Sequence, residues 1–218
     1  MLLWLKGQFI TNDLILLPIY IGVIFLIAVF FKPKKELLKH YYRGLLLKIV
    51  GGVLFWLVHC ILYKGGDSWA YFYSARAISN LIIQDFSNGL DVLTSKVRGV
   101  EIFSYFNPHT GYPARYMIKD FHTFTVARYT TVFCLLSFNS FLITTIVLSS
   151  ISFIGVWKLY CLVNELYPGI RKEIFYLILA MPSLIFWGGG IMKDTYVLSS
   201  ACWFSYNFYY VFIKRKKV

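Results

Sequence analysis

Five apolar runs limit what this chain can fold into. Residues 14–31, 44–63, 129–157, 174–192 and 195–213 each reach the length of roughly 17–25 residues at which a helix crosses a bilayer. Only the second contains a charge, Lys48, near one end. In hydrocarbon each backbone N–H and C=O needs a partner within its own segment, so runs of this length read as helices. The rest of the composition agrees: 58% of the residues are hydrophobic, 15% are charged, and the mean hydropathy is +0.63. A soluble domain carries about one-quarter charged residues. The expected fold is all-α. It is a polytopic membrane protein with about five transmembrane helices and a long external loop carrying a juxtamembrane helix. Residues 1–218 read as a single integral membrane domain.

The net charge of +12 would suit a nucleic-acid binder, but its distribution points to a membrane. Lys32, Lys34, Lys35, Lys39 and Arg43 lie between the first two runs. Lys158, Arg171 and Lys172 lie between the third and fourth, and Lys214, Arg215, Lys216 and Lys217 close the sequence. If the runs alternate in direction, these charges share one side, the cytoplasmic side by the positive-inside rule. There they face anionic lipid headgroups, and no RNA-binding motif accompanies them. The N-terminus, the loop 64–128 and the short turn 188–194 are then external. The first run does not read as a cleaved signal peptide, because its positive charges follow the apolar stretch. Cys60, Cys134, Cys161 and Cys202 sit in or beside the runs without metal-ligand spacing and read as packing residues.

The loop 64–128 is the segment where chemistry is expected, since loops this long without function are uncommon. Tyr71, Ala75, Ile78 and Ile82 recur at helical spacing, and Asn88-Gly89 marks a stop. That helix is expected to lie on the membrane surface with its apolar face down. Residues 103–124 are aromatic, are interrupted by Pro108, Gly111 and Pro113, and carry His109, Arg115, Lys119, Asp120 and His122. His109 and His122 are too isolated to be assigned to a metal site.

Asp67 follows two glycines at the start of the predicted helix. It reads either as the helix N-cap, stabilising by about 1 kcal/mol, or as a catalytic base held at the membrane surface. Asp194 suits the positive end of the last apolar helix, but its neighbour Lys193 opposes the dipole there. A phosphate bound at that helix end would explain both residues. The alternative is a snorkelling lysine. Gly188-Gly189-Gly190 lets the backbone turn sharply or approach a ligand closely. Trp69, Tyr71, Tyr73, Tyr105, Tyr112 and Tyr116 could stack on a sugar, although interfacial aromatics are common in membrane proteins.

The string Gly66-Asp67-Ser68-Trp69-Ala70-Tyr71, continuing to Ala75-Arg76-Ala77, resembles the Asp-x-x-x-Tyr-x-x-x-Ala pattern in the first external loop of GT-C-fold glycosyltransferases. Those polytopic enzymes use polyprenyl-phosphate sugar donors. The later string Pro182-Ser183 to Phe186-Trp187-Gly188-Gly189-Gly190-Ile191-Met192-Lys193-Asp194 is similar to a helix junction in membrane proteins of bacterial surface-polysaccharide clusters. The resemblance implies a membrane glycosyltransferase of the bacterial cytoplasmic (inner) membrane that moves a sugar from a polyprenyl-phosphate carrier to an acceptor on the external face. It further implies Asp67 as the catalytic carboxylate, with Tyr71, Arg76, Lys193 and Asp194 binding substrate. Its partners are membrane lipid and the lipid-linked donor, with no nucleic acid. Whether a divalent cation takes part is left open. Family members usually have more spans than five, so the chain is expected to be the N-terminal part of a longer enzyme or a truncated copy. The alternatives are an O-antigen-type polymerase and a non-catalytic membrane subunit of a polysaccharide export or assembly complex.

Overall fold

The computed structural model describes residues 2–63, 65–97 and 99–215, and residues 2–12 by backbone alone. Lys64, Lys216 and Lys217, which belong to the expected loop and basic end, lie outside the described residues. The described residues form helices and connections with no strand. In chain order the α-helices are α1 (Leu2–Phe30), α2 (Leu38–Val58), α3 (Asp67–Gln84), α4 (Phe86–Leu93), α5 (Arg115–Lys119), α6 (Phe121–Leu136), α7 (Phe141–Leu166), α8 (Arg171–Ile174), α9 (Pro182–Trp187) and α10 (Lys193–Phe208). The protein is an all-α membrane protein.

Among the described residues, three helical stretches are long and apolar enough to cross a membrane: Asp13–Phe30, Lys35–Tyr63 and Phe141–Leu166. The expected spans differ from these in three places. The run 129–157 is not one helix. It breaks at Ser137–Ser140, where Phe138 and Asn139 take positive φ of 51° and 59°. Asn139 Nδ2 donates to Asn80 Oδ1 at 3.0 Å, and Ser140 Oγ accepts from the Ile143 N–H, which holds the turn and starts α7. The run 174–192 is interrupted before Pro182, which lacks an N–H and biases Met181 towards its extended conformation (φ −67°, ψ 118°). The run 195–213 is helical, continuing from α10 into wider turns over Tyr209–Ile213. Its serines, asparagine and tyrosines keep it below the hydropathy of the three stretches above.

The chain divides into two compact units. The first comprises Met1–Ile15, Trp56–Thr144 and Ile191–Lys193. In it α3 packs along α6, and Tyr71, Ala75, Ile78 and Ile82 are all buried, as their spacing predicts. The partner of that face is protein, not the membrane surface expected from sequence. Thr131 Oγ1 also donates to Ala75 O across the α3–α6 contact. Asn88-Gly89 does not stop this helix. The chain breaks earlier, at Asp85, whose carboxylate caps α4 by accepting from the Asn88 N–H at 3.1 Å. Gly89 lies inside α4, where a Cβ would come within 2.6 Å of the Ile82 backbone and only glycine fits. Buried Arg128 holds this corner, donating to Val92 O at 2.8 Å and lying over the Phe124 ring.

The second unit comprises Leu16–Phe55, Thr145–Gly190 and Asp194–Val218. Small residues let its helices approach, as is usual where lipid offers no hydrophobic drive for helix association. Gly52 faces Ser149, and Gly155 of α7 lies against Ser199 of α10. Lys48 is buried in α2, and its ammonium donates to Leu184 O in α9 at 3.0 Å. At the far end of α7, Glu165 accepts from Tyr210 and Lys214, so α7 ends against the wider turns that follow α10.

Candidate functional site

Gly66, with φ of +93°, is the N-cap of α3, and its C=O accepts from the Ala70 N–H at 3.2 Å. Only glycine reaches that backbone region at little cost, so the helix starts one residue earlier than a capping Asp67 would require. The N-cap reading of Asp67 is therefore corrected: it is the first residue inside α3, and among the described residues its side chain bonds to Tyr116 and to no backbone N–H of the helix. The carboxylate is exposed and, among the described residues, accepts one hydrogen bond, from Tyr116 Oη to Oδ1 at 3.1 Å.

Tyr116 is carried by the five-residue α5. That short helix sits on α3 through buried Met117 and through the Ala114 N–H, which donates to Ser74 Oγ at 3.0 Å. Tyr71 lies one turn beyond Asp67 on α3 with its ring buried. Its hydroxyl is within hydrogen-bonding reach of Thr123 near the start of α6. Burial, then the negative charge of Asp67, pushes the Tyr71 phenol up to about 12. Burial and the Asp67 carboxylate likewise raise Tyr116. Both phenols thus stay protonated at neutral pH and act as donors, not bases.

Asp120 is the N-cap of α6. Its carboxylate accepts from the His122 N–H at 3.0 Å and, in a short bond, from the Thr123 hydroxyl. The Thr123 bond first, with the backbone N–H groups and the Lys193 charge, holds its carboxyl below the usual range. Lys193, the first residue of α10, donates from Nζ to Thr123 Oγ1 at 3.0 Å. Its partner is thus a hydroxyl beside an ionised carboxylate. One polar patch results, in which Asp67 and Tyr116 at one end join Thr123, Asp120 and Lys193 at the other through Tyr71.

Of the residues singled out in the sequence, the fold brings Asp67, Tyr71, Tyr116, Asp120 and Lys193 into this patch. Arg76 is not part of it. Nine residues beyond Asp67 at about 100° per residue, it lies on the opposite side of α3, and its charge acts on Tyr73 and Cys134. Asp194 is exposed at the second position of α10 and belongs to the second unit. The glycines 188–190 closely approach their own unit: a Cβ on Gly190 would fall 2.3 Å from the Phe55 ring, and one on Gly188 2.7 Å from Lys48 Nζ. Sequence reasoning gave no role to Thr123 and named Asp120 only as one of the polar groups of the loop where a site was expected. The available signal was the Asp120-x-x-Thr123 spacing before an apolar helix, which reads first as a cap. Among the described residues no group of three His, Cys, Asp or Glu side chains is placed to hold a metal ion.

The patch can do two kinds of chemistry. An exposed carboxylate with free lone pairs can accept a proton, and an ammonium with two uncommitted N–H bonds can meet an anion. No protein-family model matches the chain, and no curated protein or solved structure is significantly similar to it.

Proposed function

We propose that this protein is a membrane glycosyltransferase of the GT-C kind, taking a sugar from a polyprenyl-phosphate carrier and passing it to an acceptor hydroxyl in cell-surface polysaccharide or glycoconjugate synthesis. The observation that carries this reading is the state of Asp67, which is exposed, free of capping duty, and in one patch with the Lys193 ammonium. In the reaction the acceptor oxygen attacks the anomeric carbon while Asp67 takes the hydroxyl proton. The bond to the phosphate oxygen breaks, and the lipid phosphate leaves with one more negative charge. Lys193 meets that charge, the electrostatic contribution that is usually largest in such catalysis. Tyr116 holds the carboxylate as a hydroxyl donor, and Tyr71 connects it to Thr123 at the Lys193 end of the patch.

The site belongs on the external face of a bacterial cytoplasmic membrane, with the basic connections inside. Cysteines placed at Ser87 and Lys119, in a chain lacking Cys60, Cys134, Cys161 and Cys202, should react with an impermeant thiol reagent in intact cells with an opened outer layer. A cysteine at Glu36 should react only after permeabilisation. Labelling of position 36 from outside would reverse the orientation and remove the external reading.

Lys193→Gln tests the donor end of the patch. Glutamine can still bond to the Thr123 hydroxyl but carries no charge. Binding of a short-chain polyprenyl-phosphate sugar should weaken about 10-fold or more, because hydrogen bonds to charged groups contribute about 1.5–3 kcal/mol. Equal donor affinity in variant and parent would leave Lys193 as an anchor for Thr123 only.

A further inference from the structure

A second polar site lies at the other end of α3. A cavity of about 360 Å³ is lined by Gln84, Asp85, Asn88, Ser104, Tyr105 and Asn107, together with the apolar Leu81. Its volume falls within the range of small-molecule sites, about 300–1,000 Å³. The lining has no cationic side chain, so nothing in it selects an anion. Its single carboxylate, Asp85, is already engaged by Asn88, which bonds it from both N and Nδ2.

The amides are held in fixed orientations. Asn107 Nδ2 donates to Gln84 Oε1 at 3.2 Å, and Asn107 Oδ1 accepts from the His109 and Thr110 N–H groups. Those bonds leave Gln84 Nε2 as a donor, Asn88 Oδ1 as an acceptor and the Tyr105 hydroxyl as either, none with a protein partner among the described residues. Neutral donors and acceptors beside an aromatic ring match a ligand that is uncharged, rich in hydroxyls and apolar on one face.

We infer that this cavity binds neutral sugar units of the acceptor, and that the acceptor is an oligosaccharide chain, not a single sugar. The second half of the inference rests on the glycosyltransferase reading. Asp67 and Gln84 are the two ends of α3, separated by about 25 Å of helix at 1.5 Å per residue. No single sugar occupies both places, so an acceptor that touches both has several units. The growing end lies at Asp67 and the older units lie against Gln84 and Tyr105.

The test uses the full chain in lipid nanodiscs, without glycoside detergents that would compete. Saturation-transfer NMR is recorded with methyl glycosides of neutral hexoses and N-acetylhexosamines and with their linear trisaccharides. At least one probe should give signal, and Gln84→Leu combined with Tyr105→Ala should reduce it. Each lost hydrogen bond should cost about 2–10-fold in affinity. Ser104→Trp, which fills the cavity and leaves those partners in place, should have the same effect and guards against a misfolded double variant. Asp67→Asn should keep the signal. Silence from every probe, or equal signal in parent and both variants, would overturn the cavity assignment whatever the transfer activity. Sugar binding in a parent chain that transfers nothing would leave a saccharide site and overturn the acceptor assignment.

Discussion

Asp67→Asn should fold and insert like the parent and lose transfer activity by about 10²–10⁴-fold, the usual contribution of a general base. Asparagine keeps an oxygen at Oδ1 for the Tyr116 hydroxyl, so the one side-chain bond seen at Asp67 survives the exchange. The structural loss is small. A carboxylate in the first turn of a helix contributes about 0.3–1 kcal/mol through the dipole, and no capping bond is broken. What asparagine lacks is the ability to take a proton at neutral pH. Asp67→Ala should be as inactive as the asparagine variant, while Tyr116→Phe, which removes one donor from the carboxylate, should cost no more than about 10-fold. The measurement is sugar transfer from a polyprenyl-phosphate donor in membranes, with yield and helix content checked beside it. Near-parental activity in Asp67→Asn would remove the catalytic assignment and leave only a charge at a helix end.

The second large effect should come from Gly155→Val in α7. A Cβ at this position would lie 2.1 Å from Ser199 O and 2.7 Å from Ser199 Oγ. The side-chain oxygen can rotate away, but the backbone oxygen moves only if α10 moves. Replacing glycine inside a helix otherwise favours the helix by up to about 1 kcal/mol. Overpacking costs about 1–3 kcal/mol or more, and the contact with backbone puts this site at the upper end, so the clash wins. The thermal midpoint in a mild detergent should fall, with a larger loss of folded yield for Val than for Ala. Gly22→Val in α1, where nothing lies within 4 Å of a built Cβ, provides the control and should be near silent. Equal stability of Gly155→Val and the parent would mean that α7 and α10 do not pack at this point.

The class of this protein was legible in its residues because the cause is local. A run of apolar side chains satisfies its backbone polar groups by becoming a helix, whatever surrounds it. Tyr71, Ala75, Ile78 and Ile82 likewise declared a helical face by spacing alone. Helix ends were read less well, because small shifts in local geometry decide them. Gly66, not Asp67, caps α3, and Asp85 ends it before Asn88-Gly89. The long third run gave no warning of its turn at Phe138 and Asn139, since that turn is held from Asn80, 59 residues away. The polar patch was beyond reach for the same reason. Tyr116 meets Asp67 across 49 residues, and Lys193 meets Thr123 across 70. Composition and periodicity describe what each segment needs from its solvent. They carry no record of which distant segment supplies it, and only packing α3 against α6 and bringing Lys193 to Thr123 decided that.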